Sequence, residues 1–363
     1  MQPTGQRVVI QAFGETPLDA IEHHLAFEDQ PPPDPSTLGP RDVLIAVESC
    51  AVGWVDLLMT SGQYQHMASP PYTPGLEYAG RVIAIGSEVT SPKLGARVLA
   101  DGLLTGPRSL GPYQRWGGFA SYAVAPAEAA LPLPDDWSFD EGCNLLGNYE
   151  TAYHCLITRG RLQAGETVLI LGASGSTGLA AVHIAKLIGA TVIAVGRSPA
   201  KLEQVRAQGA DHVVVGEGGF KDAIKTLTGG RGVDVIYDGV GGESSIEAIA
   251  CAGFGARFLV VGWAATPFVA RGKGQRGAPN VNMLPTNLIL MKSLDVLGCP
   301  TAISTHRDPS LRAPRLEQIL AWVAAGRLRP HVAEVYPLRE VRAAMLAKWE
   351  SRTVGGIVVH PGA

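Results

Sequence analysis

The sequence predicts a two-domain α/β protein in which a β-rich domain precedes a doubly wound parallel sheet. From about Ser138 to Leu297, short apolar runs alternate with segments of helical periodicity, as in a parallel sheet covered by helices on both faces. Before Ser138, brief strands are separated by Gly- and Pro-rich turns, which is typical of an antiparallel, partly closed β domain. The chain has 363 residues, which is enough for both domains.

The order of the elements follows from the same patterns. In the β-rich part, apolar runs predict strands over 7–12, 43–47, 80–85, 97–100 and 118–124. Apolar residues at helical spacing then predict a helix over 139–157. Further buried strands are predicted over 212–215, 233–237 and 258–261, helices over 316–325 and 338–349, and a closing strand over 356–359 that returns to the first domain.

The stretch 167–197 indicates a nucleotide site. A buried strand over 168–171 is followed by a turn of small residues, a helix ending at Gly189 and a second strand over 191–195. This arrangement binds a dinucleotide, because glycines admit the pyrophosphate close to the backbone and the helix N-terminus presents free N–H groups. The predicted contacts here are Gly172, Ser174, Gly175, Ser176, Thr177 and Gly178.

The residues after the second strand favour NADPH over NADH. An NAD site usually places Asp or Glu there, whereas this chain has Arg197 and Ser198, with Lys201 one turn later. Arg197 can form a planar fork on a 2′-phosphate, Lys201 can add a charge and Ser198 a hydroxyl. Alternatively, Ser198 caps the next helix while the two cations are solvated, and the two interpretations are compatible.

Composition excludes several classes of protein. The chain is 46% apolar and 17% charged, as in ordinary globular proteins, and its net charge of −3 argues against nucleic-acid or membrane surfaces. No leader-like start and no uncharged run of membrane-spanning length is visible, so we expect a cytoplasmic protein. Its five cysteines are scattered without a C-x-x-C pair, which predicts neither a disulfide framework nor a zinc knuckle.

Several segments occur in a distinctive order: GLEYAGRVIAIGSEV over 75–89, NYETAYHCL over 148–156, GETVLILGASGSTG over 165–178, then GADHVV, VDVIYDGVGG and a terminal GGIVV. In this order they resemble the medium-chain dehydrogenase/reductase superfamily, and within it the zinc-independent quinone oxidoreductase (zeta-crystallin-like) family. The resemblance implies a GroES-like catalytic domain over 1–136, a Rossmann NADPH-binding domain over 137–299 and a segment over 300–363 that returns to the first domain.

Zinc-dependent members of the superfamily carry Cys and Gly-His-Glu where this chain has Gly53 and Gly75-Leu76-Glu77. Because catalytic zinc needs a thiolate, imidazole or carboxylate at each ligand position, we predict no metal. Without a metal electrophile, the expected reaction is hydride transfer to a quinone or to an activated (α,β-unsaturated carbonyl) alkene, where charge moves onto an oxygen that hydrogen-bond donors can stabilise.

The resemblance also implies positions for the cofactor. Asn148 and Thr151 are expected beside the nicotinamide. Gly239 and Val240 follow a buried strand, and Gly262 follows the next one, so all three should lie at the carboxyl edge of the sheet. Asn287 falls in a segment that the family places against the nicotinamide half.

In the substrate domain, Tyr64 matches a tyrosine that lines the family's pocket and could donate to the developing oxygen, or could be structural. Gly53 and Leu58 replace an Asn and a Tyr of relatives, so Trp54 is expected to line the vacated space. Asp56 is retained, and its two interpretations are a proton-transfer group and a residue that fixes the loop. The predicted catalytic set is Tyr64, Trp54 and Asp56.

The expected partner beyond the small-molecule substrate is a second copy of the chain, paired through the edge strand near 294–297 of the nucleotide domain. Two other functions remain open. One is a weakly catalytic, crystallin-like NADPH-binding protein, which the altered pocket would favour. The other is an enoyl-thioester reductase, favoured if Arg271, Lys273 and Arg276 form a basic patch instead of a solvated loop.

Overall fold

A computed structural model describes residues 3–66, 68–265 and 282–362. Within these ranges the chain forms two compact units, one of residues 3–147 and 330–362 and the other of residues 148–265 and 282–329. The basic residues Arg271, Lys273 and Arg276 lie outside the described residues. Among the described residues, none of the helices has the length and apolar character that crossing a lipid bilayer requires.

The first unit contains a two-stranded ribbon, a seven-stranded sheet and short helices. Its strands are β1 (Gly5–Ile10), β2 (Leu25–Gln30), β3 (Asp42–Ala51), β4 (Tyr78–Ile85), β5 (Arg97–Ala100), β6 (Tyr122–Pro126), β7 (Ala130–Pro132), β14 (Val332–Pro337) and β15 (Gly356–His360). Its helices are α1 (Pro17–His23), α2 (Trp54–Thr60), α3 (Phe139–Cys143) and α12 (Val341–Trp349). β1 pairs with β2, and the sheet order is β14-β15-β3-β4-β5-β7, with β6 beside β3.

Strand β3 is central to this sheet. It pairs antiparallel with β4 and β6, and its C-terminal end pairs with β15. Val43 and Ile45 lie in the main core of the unit, whereas Leu44 packs on the opposite face with Tyr122 and Val124. This alternation is the two-residue period of a strand, and burial of both faces explains the continuous apolar run in the sequence. The pairing of β15 with β3 confirms that the closing strand returns to the first domain.

The second unit is a six-stranded parallel sheet with helices. Its strands are β8 (Thr167–Leu171), β9 (Thr191–Gly196), β10 (His212–Val215), β11 (Val233–Asp238), β12 (Ala252–Val260) and β13 (Asp295–Gly298), in the order β10-β9-β8-β11-β12-β13. Helix α4 (Leu146–Tyr153) begins in the first unit and continues here; the other helices are α5 (Ser176–Ile188), α6 (Pro199–Ala207), α7 (Lys221–Leu227), α8 (Glu243–Cys251), α9 (Thr286–Met291), α10 (Thr301–Arg307) and α11 (Arg312–Ala324). Every residue of β8 is buried, as expected for a strand covered on both faces.

The unit boundaries differ from the predicted ones at 136 and 300. Helix α3 stays with the first unit, where His360 Nε2 on β15 lies 2.7 Å from Asp140 Oδ1. Helix α11 stays with the second unit, because Arg312 and Arg315 pair with Glu150 of α4. The predicted segment over 300–363 is therefore divided, and only its part from residue 330 belongs with the first unit.

The predicted helix over 139–157 is also interrupted. A capping box between Ser138 and Glu141 starts α3, which ends at Cys143 with Asn144 as its C-cap, and α4 then runs into a π-helical turn, His154–Arg159. The predicted strand over 118–124 begins later, at Tyr122, because the residues before it form a bend. These differences concern ends and breaks, where apolar periodicity carries little information.

Candidate functional site

The glycine turn joins β8 to α5. Gly172 has φ of 71°, a left-handed conformation that favours glycine. Gly175 is the N-cap of α5, and its N–H donates to Gly172 O at 3.0 Å. Ser174 lies in this turn, and Ser176 and Thr177 open the helix. No acidic residue occupies the first turn of α5, so no carboxylate of that turn competes with a bound anion.

Gly178 allows α5 to pack closely on the turn. A Cβ at this position would lie 2.2 Å from Gly172 O, a distance that no side chain tolerates. Helix α5 ends at Gly189, whose φ is 88°, as predicted. Gly172 thus allows the left-handed turn, and Gly178 the close helix packing, that a pyrophosphate site of this type requires.

A second turn, after β11, lies beside the first. Asp238, fully buried at the end of β11, accepts N–H bonds from Val240 at 3.0 Å and Gly241 at 2.9 Å. A Cβ on Gly172 would lie 3.1 Å from Val240 Cγ2, so the two turns are in contact. Gly262 N–H donates to Asp238 O at 3.2 Å. The structure therefore brings Gly172, Gly239, Val240 and Gly262 together at the carboxyl ends of β8, β11 and β12.

The residues after β9 combine a helix cap with two cations. Ser198 is the N-cap of α6, its Oγ accepting from Lys201 N at 3.4 Å, with Pro199 at the first helical position. Burial and then the charge of Arg197 lower the pKa of Lys201. The charge of Arg197 thus acts on Lys201, and an anion bound near both side chains would be attracted by both charges.

Helix α4 carries the two candidates for the nicotinamide side. Asn148 accepts a hydrogen bond from Thr177 Oγ1, at 3.0 Å, which fastens α4 to the first turn of α5. Thr177 therefore directs its hydroxyl proton to Asn148, which sequence reasoning did not foresee. Thr151 is half-buried one turn further along α4. Asn287 is exposed near the start of α9.

Asp56 holds the loops of the first unit together. Its carboxylate accepts N–H bonds from Gly53 at 2.9 Å and from Gly75 and Leu76 at 3.1 Å. Only 2% of Asp56 is exposed, and burial raises its pKa to about 6 against the effect of these three donors. Both oxygens are engaged with main chain, so the geometry favours the loop-fixing interpretation.

Trp54 opens helix α2 and stacks on Trp349 at the end of α12. The ring centroids are 5.3 Å apart and the planes differ by 6°. One face of the Trp54 indole is therefore covered by Trp349. Burial lowers the pKa of the neighbouring Lys348 to about 8, and the charge of Asp56 opposes this shift. Sequence reasoning missed Lys348 and Trp349, because nothing in α12 marks them as neighbours of α2.

Tyr64 is half-buried in the bend that follows α2. Its neighbour Gln63 was not predicted, yet both atoms of its side-chain amide are buried and no hydrogen-bond partner for them occurs among the described residues. Buried polar atoms without partners are uncommon and call for a physical reason. Only the loop position shared with Tyr64 could have drawn attention to Gln63 from sequence.

The residues of the first unit do not fit catalytic zinc. Gly53 and Leu76, which stand where zinc-dependent relatives carry ligands, contribute only main-chain N–H groups, and both groups donate to Asp56. Glu77 is committed to an ion pair, its Oε1 lying 3.5 Å from Arg108 Nη2. Among the described residues, no three His, Cys, Asp or Glu side chains come together as metal ligands do.

Comparison with known proteins identifies the class. Residues 39–135 match the alcohol dehydrogenase GroES-like domain family, and residues 176–307 match the zinc-binding dehydrogenase family. The chain belongs to the medium-chain dehydrogenase/reductase superfamily, and within it to the quinone oxidoreductase family. This confirms the resemblance and the fold class predicted from the motifs.

Three relatives illustrate the match. Pig quinone oxidoreductase is 32% identical over 308 residues, which cover 84% of this chain and 85% of the relative. A probable oxidoreductase from Mycobacterium abscessus has 30% identity and a TM-score of 0.80, covering 99% of both chains. The quinone oxidoreductase of Thermus thermophilus, solved alone and with NADPH, has 26% identity and a TM-score of 0.73, covering 98% of this chain and 99% of that one.

Proposed function

We propose that this chain is a metal-free, NADPH-dependent oxidoreductase that transfers hydride to quinones or to activated (α,β-unsaturated carbonyl) alkenes. The observation that carries the proposal is the two cations that follow β9, Arg197 directly after the strand and Lys201 in the first turn of α6, where NAD-selective sites carry an acid. The relative from Thermus thermophilus, which was solved with NADPH, supports the choice of cofactor.

The described residues fit such a dinucleotide. The turn from Gly172 to Gly178 and the N-terminus of α5 would receive the pyrophosphate. Arg197, Ser198 and Lys201 would bind the 2′-phosphate. When bound, NADPH supplies a hydride. The remaining contacts are assigned to Asn148, Thr151, Gly239, Val240, Gly262 and Asn287.

On the acceptor side, the Tyr64 hydroxyl would donate a hydrogen bond to the oxygen on which charge develops. Trp54, with one face covered by Trp349, would offer a single flat wall that favours planar acceptors. Asp56 would act through the main chain of residues 53, 75 and 76 by holding both loops, and not by transferring a proton.

The test compares cofactor affinity in matched variants. Arg197→Ala and Lys201→Ala remove one cation each, whereas Arg206→Ala removes an exposed arginine on the same helix, α6, that pairs with Glu203. Because a charge-assisted bond contributes about 1.5–3 kcal/mol, we expect the NADPH Kd to rise about tenfold to a hundredfold in the first two variants. The NADH Kd of these variants and the NADPH Kd of Arg206→Ala should equal the wild-type values. Equal affinity of the wild type for NADPH and NADH would contradict the proposal.

Turnover separates the candidate reactions. NADPH oxidation should be measured with a quinone panel, an enone panel and enoyl thioesters of coenzyme A. Reduction of quinones or enones is the expected result. Preference for the thioesters would favour an enoyl reductase, and tight NADPH binding without any turnover would favour a crystallin-like binding protein.

We also propose a homodimer that forms through strand β13. This strand is at the edge of the sheet, and the helix before it exposes Leu290 at 82% and Met291 at 71% of their surface. Unpaired edges and exposed apolar groups favour association. Leu290→Asp should give monomers in light scattering, whereas Leu94→Asp, at an exposed leucine of the first unit, should not. Dimers of both variants would contradict this surface.

A further inference from the structure

The described chain passes between its two units at two points, one between residues 147 and 148 and the other between residues 329 and 330. Tyr149 follows the first point, and Arg329 precedes the second. The Tyr149 hydroxyl lies 3.4 Å from the carbonyl oxygen of Arg329. Tyr149, which is only 3% exposed, thus contacts the end of the second segment from within the same unit.

The same hydroxyl reaches helix α5. Tyr149 Oη lies 2.7 Å from Nδ1 of His183, and the two rings stack with centroids 6.0 Å apart. His183 Nε2 in turn lies 3.2 Å from Oε1 of Gln208, at the end of α6. Tyr149, His183 and Gln208 form a hydrogen-bonded relay across α4, α5 and α6.

The relay determines where the protons are. An amide oxygen only accepts, so His183 Nε2 carries hydrogen and donates to Gln208. In the neutral ring Nδ1 then accepts the single hydroxyl proton of Tyr149 at 2.7 Å, and the 3.4 Å approach of the same hydroxyl to Arg329 O is a weaker polar contact. The relay therefore depends on the nitrogen at the Nδ1 position and on the tyrosine hydroxyl.

The relay is next to the candidate cofactor residues. Asn148, which precedes Tyr149, accepts from Thr177 in the first turn of α5. Helix α4 is thus fastened to α5 by two side-chain contacts, one at the phosphate-binding end of α5 and one about two turns later. The first contact involves predicted cofactor residues, and the second joins Tyr149 of the 148–156 motif to His183, which no quoted motif contains.

We propose that Tyr149 and His183 are positioning residues of the dinucleotide site. They hold α4, with Asn148 and Thr151, at a fixed distance from the N-terminus of α5. The residues for the nicotinamide half of NADPH then keep a fixed distance from the residues for its pyrophosphate. This inference rests on the proposed function. Loss of the relay should therefore weaken the binding of the complete dinucleotide and leave the binding of its adenosine half unchanged.

The experiment compares two ligands, NADPH and 2′-phospho-ADP-ribose, which lacks the nicotinamide. Tyr149→Phe removes the hydroxyl. His183→Gln keeps a polar atom near Nε2 but none at Nδ1, whereas His183→Asn keeps one near Nδ1. Because one neutral hydrogen bond is lost, we expect the NADPH Kd of Tyr149→Phe and His183→Gln to rise about fivefold to tenfold. Affinity for 2′-phospho-ADP-ribose should not change, and His183→Asn should restore most of the NADPH affinity.

Controls separate this inference from its alternatives. Tyr336→Phe, which removes a hydroxyl bonded to Glu334 in the first unit, should behave as wild type. Equal weakening of both ligands by Tyr149→Phe would show a general loss of structure and overturn the inference, as would unchanged NADPH affinity. If the wild type binds the adenosine fragment but not NADPH, the proposed function fails as well. Thermal unfolding without ligand identifies any variant that fails to fold, and if Tyr149→Phe does so, the difference in NADPH affinity between His183→Gln and His183→Asn still decides the outcome.

Discussion

Each unit contains a deeply buried carboxylate, Asp56 in the first and Glu150 in the second, and these two carboxylates are stabilised differently. In the first unit, Asp56 accepts three main-chain N–H bonds. In the second unit, Glu150 is 5% exposed and is held by the guanidinium groups of Arg312 and Arg315, each at 2.7 Å. The hydrogen bonds to Asp56 therefore come from peptide groups, with the charges of Arg108 and Lys348 acting without a direct hydrogen bond, whereas those to Glu150 come from charged guanidinium groups.

The two kinds of hydrogen-bond partner leave the pKa values of Asp56 and Glu150 shifted in opposite directions. Burial raises the pKa of Asp56 to about 6, because three peptide dipoles do not compensate the lost hydration. Burial also acts to raise the pKa of Glu150, but the hydrogen bonds and charge of Arg312 and the charge of Arg315 outweigh it and lower that pKa. Asp56 thus stabilises the fold below its ordinary pKa and loses that contribution as pH rises. Glu150 has the opposite dependence and loses its contribution as pH falls.

The largest expected effect comes from breaking the ion pairs of the second unit. Glu150→Gln leaves Arg315, which is 1% exposed, without its counter-charge. We expect a loss of about 3–5 kcal/mol in the free energy of unfolding, measured by urea titration. Glu350→Gln is the matched control, because Glu350 pairs with Arg352 at the surface and such pairs contribute at most about 1 kcal/mol. Equal losses in the two variants would show that water compensates Arg315.

The pH dependence of the first unit gives the next effect. The free energy of unfolding of the wild type, relative to that of Asp56→Asn, should fall by about 3 kcal/mol as pH rises from the ordinary pKa of an aspartate to about 6. This size follows because each pKa unit corresponds to about 1.36 kcal/mol. Stability is measured by denaturant titration at a series of pH values.

Asp140 is the control of opposite sign. Burial acts to raise the pKa of Asp140, but hydrogen bonds from His360 and Ser49 outweigh it and lower the pKa. The stability of wild type relative to Asp140→Asn should therefore rise with pH over the acidic range. A flat profile for Asp56→Asn would mean that the three N–H donors fully replace water around Asp56.

The smallest expected effect concerns neutral amides. Gln30 is buried and bonded twice to Tyr122, through its Nε2 at 2.8 Å and its Oε1 at 2.9 Å, whereas the buried amide of Gln63 lacks a partner among the described residues. Gln30→Met should cost about 1–3 kcal/mol, and Gln63→Met should increase stability by about 1 kcal/mol. If Gln63 serves the acceptor, kcat/KM for the acceptor should fall while the NADPH Kd stays unchanged. A less stable Gln63→Met would indicate that an ordered water satisfies the amide.

The glycine-rich connection from β8 to α5 was predictable because its contacts are local. Gly172, Gly175 and Gly178 lie between the end of β8 and the first turn of α5, and the capping role of Ser198 depends only on the following residues. The contacts of the first unit span much longer stretches of chain. Asp56 bonds to the main chain of residues 75 and 76, and Trp54 stacks on Trp349 near the other end of the sequence. No spacing rule connects such positions.

The order of amino acids was sufficient for the alternation of strands and helices in the second unit, for the glycine turn and for the cap that Ser198 forms after β9, because periodicity and caps act within a few residues. Packing of the distant segments decided the rest: the unit boundaries, the partners of Asp56 and Glu150, and the relay from Tyr149 to Gln208. A buried polar group takes its partner from whichever segment the fold brings within hydrogen-bond distance. The separation of the two residues along the chain does not indicate which segment that is.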